Sequence, residues 1–175
     1  VDNAKATMMG ADMSYNMGAF DLGVSYNTNS SDAAGSVDGK MTTVSAGYAV
    51  NDDLSISASR TAWGEDGAFR SMMGNNMSGG YLATGGMGQL DANDVSMDMG
   101  VDYNMGAISL GLGYTNVTNK NTGMENFKRT AMDLSLGYDL NDNANLGLRY
   151  VTDKSEGGAV DSDEKYMWMT LTVTP

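Results

Sequence analysis

The chain has 175 residues, among them 23 glycines, one proline, no cysteine and no histidine, and its 22 acidic against 10 basic residues give a formal net charge of −12. That balance argues against a nucleic-acid partner, whose phosphates attract Lys and Arg; the missing residue types remove disulfides, thiolate metal sites and histidine-based catalysis. No run approaches 18 apolar residues, which excludes a transmembrane helix but leaves a membrane β-barrel open, because barrel strands need only alternate apolar positions.

Nothing near Val1 resembles a basic segment followed by an apolar core, so any signal peptide is expected to have been removed already. The first predicted strand, residues 7–16, sets Met13 and Tyr15 against Asp12 and Ser14. The tight turn NMGA leads into a second strand at 20–29, with Phe20, Leu22, Val24 and Tyr26 on one face and Asp21, Gly23 and Ser25 on the other. After the polar segment SSDAAGSVDGK, strands at 41–50 and 54–63 are joined by NDD. Residues 64–94 then form an expected long extracellular loop. Strands at 95–104 and 107–118 flank a second NMGA, and those at 129–140 and 144–153 flank NDN. The polar stretches NKNTGMENF and SEGGAVDSDE separate these pairs from their successors, and a ninth strand at 165–174 closes the chain. Each strand has about ten residues, the length of a tilted bilayer-spanning strand. Short turns alternating with long polar loops describe a transmembrane barrel with periplasmic turns and extracellular loops.

The chain repeats itself. YNMGAFDLGVSY at 15–26 returns as YNMGAISLGLGY at 103–114, and GYAVNDDLSIS at 47–57 as GYDLNDNANLG at 137–147. Strands one to four therefore correspond to strands five to eight. The repeat also orders the tyrosines. Tyr15, Tyr48, Tyr103 and Tyr138 fall near the short turns; Tyr26, Tyr114 and Tyr150 fall further up the strands that leave those turns. All seven share the apolar phase, and two rows at separate heights predict the aromatic girdles of a membrane barrel.

The opposite phase carries Asp12, Asp21, Asp98, Asp102, Asp133 and Asp139, with Arg129 and Arg149 and many serines. In a soluble sandwich such alternation would place the apolar face inside; in a barrel the polar face lines water. The tyrosine rows and the loop rotation favour the barrel, and these eight charged residues are its expected pore lining. Aspartates outnumber arginines there, so the expected field prefers cations. Paired carboxylates such as Asp98 and Asp102 could act as acid and base, but solvated charges on a pore wall account for them better. No enzymatic activity is expected.

MGAFDLGVSY, MGAISLGLGY, GYAVNDDLSISASR and DLSLGYDLNDNANLGLRYVTDK resemble the strand–turn–strand units of Gram-negative general porins over nearly the whole chain. The resemblance implies an all-β, antiparallel transmembrane β-barrel in the bacterial outer membrane, a barrel of about sixteen strands, often trimeric. It also implies passive passage of small hydrophilic solutes and contact with outer-membrane lipid and lipopolysaccharide. Porins commonly end on a phenylalanine, whereas this chain ends in KYMWMTLTVTP. Nine strands also cannot close antiparallel, because single-chain bacterial barrels have even numbers. The chain is therefore expected to be the C-terminal part of a larger porin, or to close with another chain. The pore-folding constriction loop, which the family carries in its earlier half, is expected to lie outside it. A small non-conducting barrel or adhesin, binding a partner through its acidic loops, is the alternative.

Two further features each admit two chemical readings. DKSEGGAVDSDE places Asp153, Ser155, Asp161 and Glu164 at calcium-loop positions, with Gly158 at the sixth. Its flanks are strands, and a solvated acidic loop is the stronger reading; no other cofactor is expected. Among 16 methionines, Met8, Met9, Met13, Met17, Met97, Met99 and Met105 fit lipid-facing packing better than copper ligation.

Overall fold

The computed structural model describes residues 5–69, 92–121, 127–158 and 161–174. It consists of β1 (Ala6–Met17), β2 (Phe20–Ser31), β3 (Gly39–Ala49), β4 (Leu54–Trp63), β5 (Asp94–Met105), β6 (Ile108–Asn119), β7 (Lys128–Asn141), β8 (Ala144–Glu156) and β9 (Ser162–Val173). The nine strands follow one another in sequence order through a single antiparallel sheet. All nine predicted strands are present, several of them longer than expected. The longest extensions are at the end of β8, which runs on to Glu156, and at the start of β9, which begins at Ser162.

Local chemistry makes the tight turns. Gly18 and Gly106 take φ of 64° and 59°, a left-handed conformation open to glycine at little cost. At the other turns the side chain of Asn51 accepts from the backbone N–H groups of Asp53 and Leu54, and Asn141 accepts from Asn143. Register then fixes the faces. Tyr15 lies opposite Leu22, Tyr48 opposite Phe20 and Ile56, and Tyr114 opposite Met99 and Met132. Tyr26, Tyr103, Tyr138 and Tyr150 share that apolar face. Met8 is the exception among the seven methionines expected to pack against lipid: it pairs with Asn29 in the polar phase, because it is an odd number of residues from Met9, Met13 and Met17.

The sheet curves so that its polar face is concave. Ser14 and Asp21 on the first two strands border the same hollow of about 600 Å³ as Gly113 and Asp133 on β6 and β7. The convex face exposes Leu22, Leu112, Leu134 and Met169, among other large apolar side chains. β1 and β9 stand at the two ends of the sheet order and do not pair.

Residues 64–69 turn onto the concave side, a course the sequence reading did not give to this loop. Ala68 bridges Lys40, and Phe69 donates its backbone N–H to the Lys40 carbonyl at 3.3 Å. Phe69, 2% exposed, packs with Met41, Trp63, Val117, Ala131 and Val151, with Phe127 and Tyr166 at the margin. The rest of the expected extracellular loop, 70–91, lies outside the described residues, as do its methionines.

Candidate functional site

The concave polar face is the candidate site, and small residues shape its lower part. Gly23 lies opposite Ser45, Gly100 opposite Ser57, and Gly111 opposite Ser135. A Cβ at any of these glycines would meet the facing serine Oγ. Such pairs keep the wall low, so aspartates stand above it. All eight predicted charged positions lie on this face.

Their surroundings differ. Asp12 and Asp102 are exposed, and neither has a hydrogen-bond or ion-pair partner among the described residues. Asp21 accepts from the Asn16 amide at 2.6 Å, and Asp139 from Asn145 at 2.7 Å. Asp98, 6% exposed, accepts from Ser96 Oγ at 2.9 Å, Thr115 Oγ1 at 2.7 Å and, more loosely, Ser59 Oγ at 3.4 Å. Three hydroxyl donors satisfy a carboxylate removed from bulk water.

The two arginines do not stand alone. Arg149 Nε donates to Asp133 Oδ1 at 2.9 Å, and its Nη2 forms an ion pair with the same carboxylate. Arg129 Nε donates to Asp153 Oδ1 at 2.9 Å, and its Nη2 to Oδ2 at 2.5 Å. These fork-shaped pairs hold their partners' charges locally, so the wall divides into neutralised β7–β8 pairs and open carboxylates on β1 and β5.

Asp153 thereby leaves the calcium hypothesis. It is 3% exposed and bonded to Arg129 through both oxygens. Ser155 lies opposite Arg129; Asp161 accepts from the Gly157 N–H at 2.9 Å, and Glu164 accepts from the Tyr166 hydroxyl. No three carboxylates among the described residues converge as a metal site.

The sequence reading missed the apolar upper end of this face. Met41, Trp63, Val117, Ala131 and Val151 all occupy the polar phase of their strands. That break in alternation was the available signal.

Nine antiparallel strands in sequence order, with a polar concave face and an apolar convex one, have the all-β fold of a porin-type barrel wall, open between β1 and β9. No protein-family model matches the sequence, and no curated protein is similar to it. A similar solved structure is the outer membrane channel DcaP of Acinetobacter baumannii, with a TM-score of 0.69 and 14% identity. The match covers 99% of this chain and 54% of that one, so the chain spans about half the length of the channel it resembles.

Proposed function

We propose that the chain forms the wall of a water-filled outer-membrane channel that passes small hydrophilic solutes and ions passively and prefers cations. The observation that carries the reading is the division of the sheet. One face is a continuous polar hollow across seven strands, and the other is an apolar surface set with seven tyrosines. A bilayer accepts that arrangement because strands satisfy one another's backbone groups and apolar side chains meet lipid.

Conduction requires the sheet to close. β1 and β9 run in the same direction, so antiparallel closure takes an odd number of further strands. Two copies in one membrane orientation would offer each other only parallel edges. We propose closure by strands of other sequence, with trimer formation a property of the closed barrel. Cation preference follows from Asp12 and Asp102, whose charges no described partner offsets. The Phe69 cluster narrows the long-loop end of the passage, which suits small solutes.

Reversal potential across a potassium chloride gradient tests this. The channel should favour potassium; replacing Asp12 and Asp102 with Asn should move it toward neutrality. Anion selectivity, or a preference indifferent to both substitutions, would overturn the cation reading.

A further inference from the structure

The concave face carries an aromatic side chain that a wet wall does not need. GYAVNDDLSISASR matches GYDLNDNANLGLRY, which aligns Arg60 with Tyr150, and each of these stands opposite a methionine of the next strand, Met97 and Met167. SMDMG at 96–100 therefore corresponds to YMWMT at 166–170. In the inward phase the exchange puts Tyr166 and Trp168 where β5 has Ser96 and Asp98. Trp168 lies opposite Arg149, so it faces the hollow, and it is 43% exposed. Its indole is stacked with the Tyr166 ring, the centroids 5.7 Å apart and the planes within 17°. Tyr166 is held in turn: its hydroxyl donates to Glu164, and its ring packs at the margin of the Phe69 cluster. An exposed indole fixed by its neighbours is a preorganised platform for another ring.

Beside Trp168 the sheet has a notch of about 240 Å³. One row across four strands reads Ser109, Gly137, Gly147 and Thr170, so two glycines make the floor between two hydroxyls. The row on its long-loop side carries Ser135, Arg149 and Trp168. Neither backbone nor packing calls for glycine at 147. Gly147 does not take a left-handed φ, and a Cβ there would come no nearer than 3.8 Å to Thr170, an ordinary contact. The protein leaves this space open. The hydroxyls of Ser109, Ser135 and Thr170 border it, and none has a hydrogen-bond partner among the described residues. Arg149 is held by Asp133, and Asp139 by Asn145 at 2.7 Å, which leaves neutral hydroxyls to recognise a ligand.

We infer that the notch beside Trp168 is a binding subsite for one pyranose ring of a neutral sugar. The inference rests on the channel reading, which brings the sugar to this wall. A pyranose with equatorial hydroxyls has two flat C–H faces and a girdle of groups that both donate and accept hydrogen bonds. The indole face is negative at its centre and attracts the C–H hydrogens, while serine and threonine hydroxyls take either part in each hydrogen bond. An anion finds every guanidinium here already paired. An open-chain polyol has the hydroxyls without the flat face. The wall would hold such a sugar briefly, so its passage saturates with concentration while that of small ions does not.

The test is saturation-transfer NMR on the protein folded in a detergent without a sugar headgroup, with methyl β-D-glucopyranoside as the probe and mannitol as its open-chain counterpart. The glucoside should saturate with a midpoint on the order of 1–10 mM, the range open to so small a ligand on an open wall, and mannitol should give no saturable signal. Trp168→Ala should weaken binding by about tenfold, whereas Trp168→Phe should keep most of it. Gly147→Val, which keeps the indole and fills the floor, should abolish binding with the strand circular dichroism unchanged; Thr170→Val, nearly the same in shape, should weaken it severalfold. Absence of saturable binding in the wild type, its survival in both Trp168→Ala and Gly147→Val, or equal binding of mannitol overturns the inference. Binding of phenyltrimethylammonium without any of the glucoside also overturns it and assigns the platform to an aromatic cation. A nitroxide at Leu134 in reconstituted protein separates the two readings: if oxygen dissolved in lipid relaxes it while the glucoside does not bind, the sugar subsite alone has failed.

Discussion

Near the short turns the concave face is built of aspartate, serine and glycine around an open hollow. Near the long loops the same face buries Met41, Trp63, Val117 and Val151 under Phe69. Both regions belong to one sheet with one register, so backbone geometry does not separate them. Side-chain choice in a single phase does. A polar phase keeps the wall wet, whereas five apolar residues in that phase give the returning chain a surface to pack on. The alternation of a strand in this sheet therefore encodes where the concave face is open as well as which face is concave.

Phe69→Ala acts on the capped region alone. Removing a buried aromatic from the cap should cost about 3–5 kcal/mol in unfolding measurements and should raise single-channel conductance. An unchanged conductance would mean that the cap does not narrow the passage. Leu134→Arg, on the convex side, should cost about 2–4 kcal/mol near the bilayer midplane, whereas Ser135→Arg on the concave side should be tolerated far better.

Charge substitutions sharpen the lower region. Arg149→Gln releases Asp133 and adds one uncompensated negative charge to the wall. At about 6 Å in water-like surroundings that charge contributes about 0.7 kcal/mol, or roughly a threefold gain in local cation concentration. Reversal potentials should register it at low salt. The gain should fade toward about 1 M salt, where the screening length is about 3 Å. At the small end, Lys154→Ala removes an exposed ion pair and should leave both conductance and stability unchanged.

Strands, turns and faces were legible in the sequence because their signals are local. Alternation of Leu22 with Asp21 and Gly23 assigns a face without knowledge of any partner, and NMGA and NDN mark turns by their own chemistry. The ion pairs were not legible, because Arg149 lies opposite Ser135 and reaches Asp133 diagonally. Diagonal neighbours exist only once the register is set. The same blindness left Asp153 in a solvated acidic loop, with calcium as the weaker reading: by chain position it borders the acidic segment, but across the sheet it is a diagonal neighbour of Arg129. The apolar cap was half legible. Trp63 and Val117 stand out of phase in the sequence, yet nothing there says that Phe69 returns to cover them.

The division of the sheet into a wet concave face and a lipid-facing convex face is tested most directly by nitroxides at Leu134 and Ser135 in reconstituted protein. These neighbours lie on opposite faces of β7. Oxygen dissolved in lipid should relax the label at Leu134, and a water-soluble nickel chelate should relax the label at Ser135. The reverse pattern, or nickel access to both labels, would contradict the barrel wall and return the chain to a water-soluble sheet.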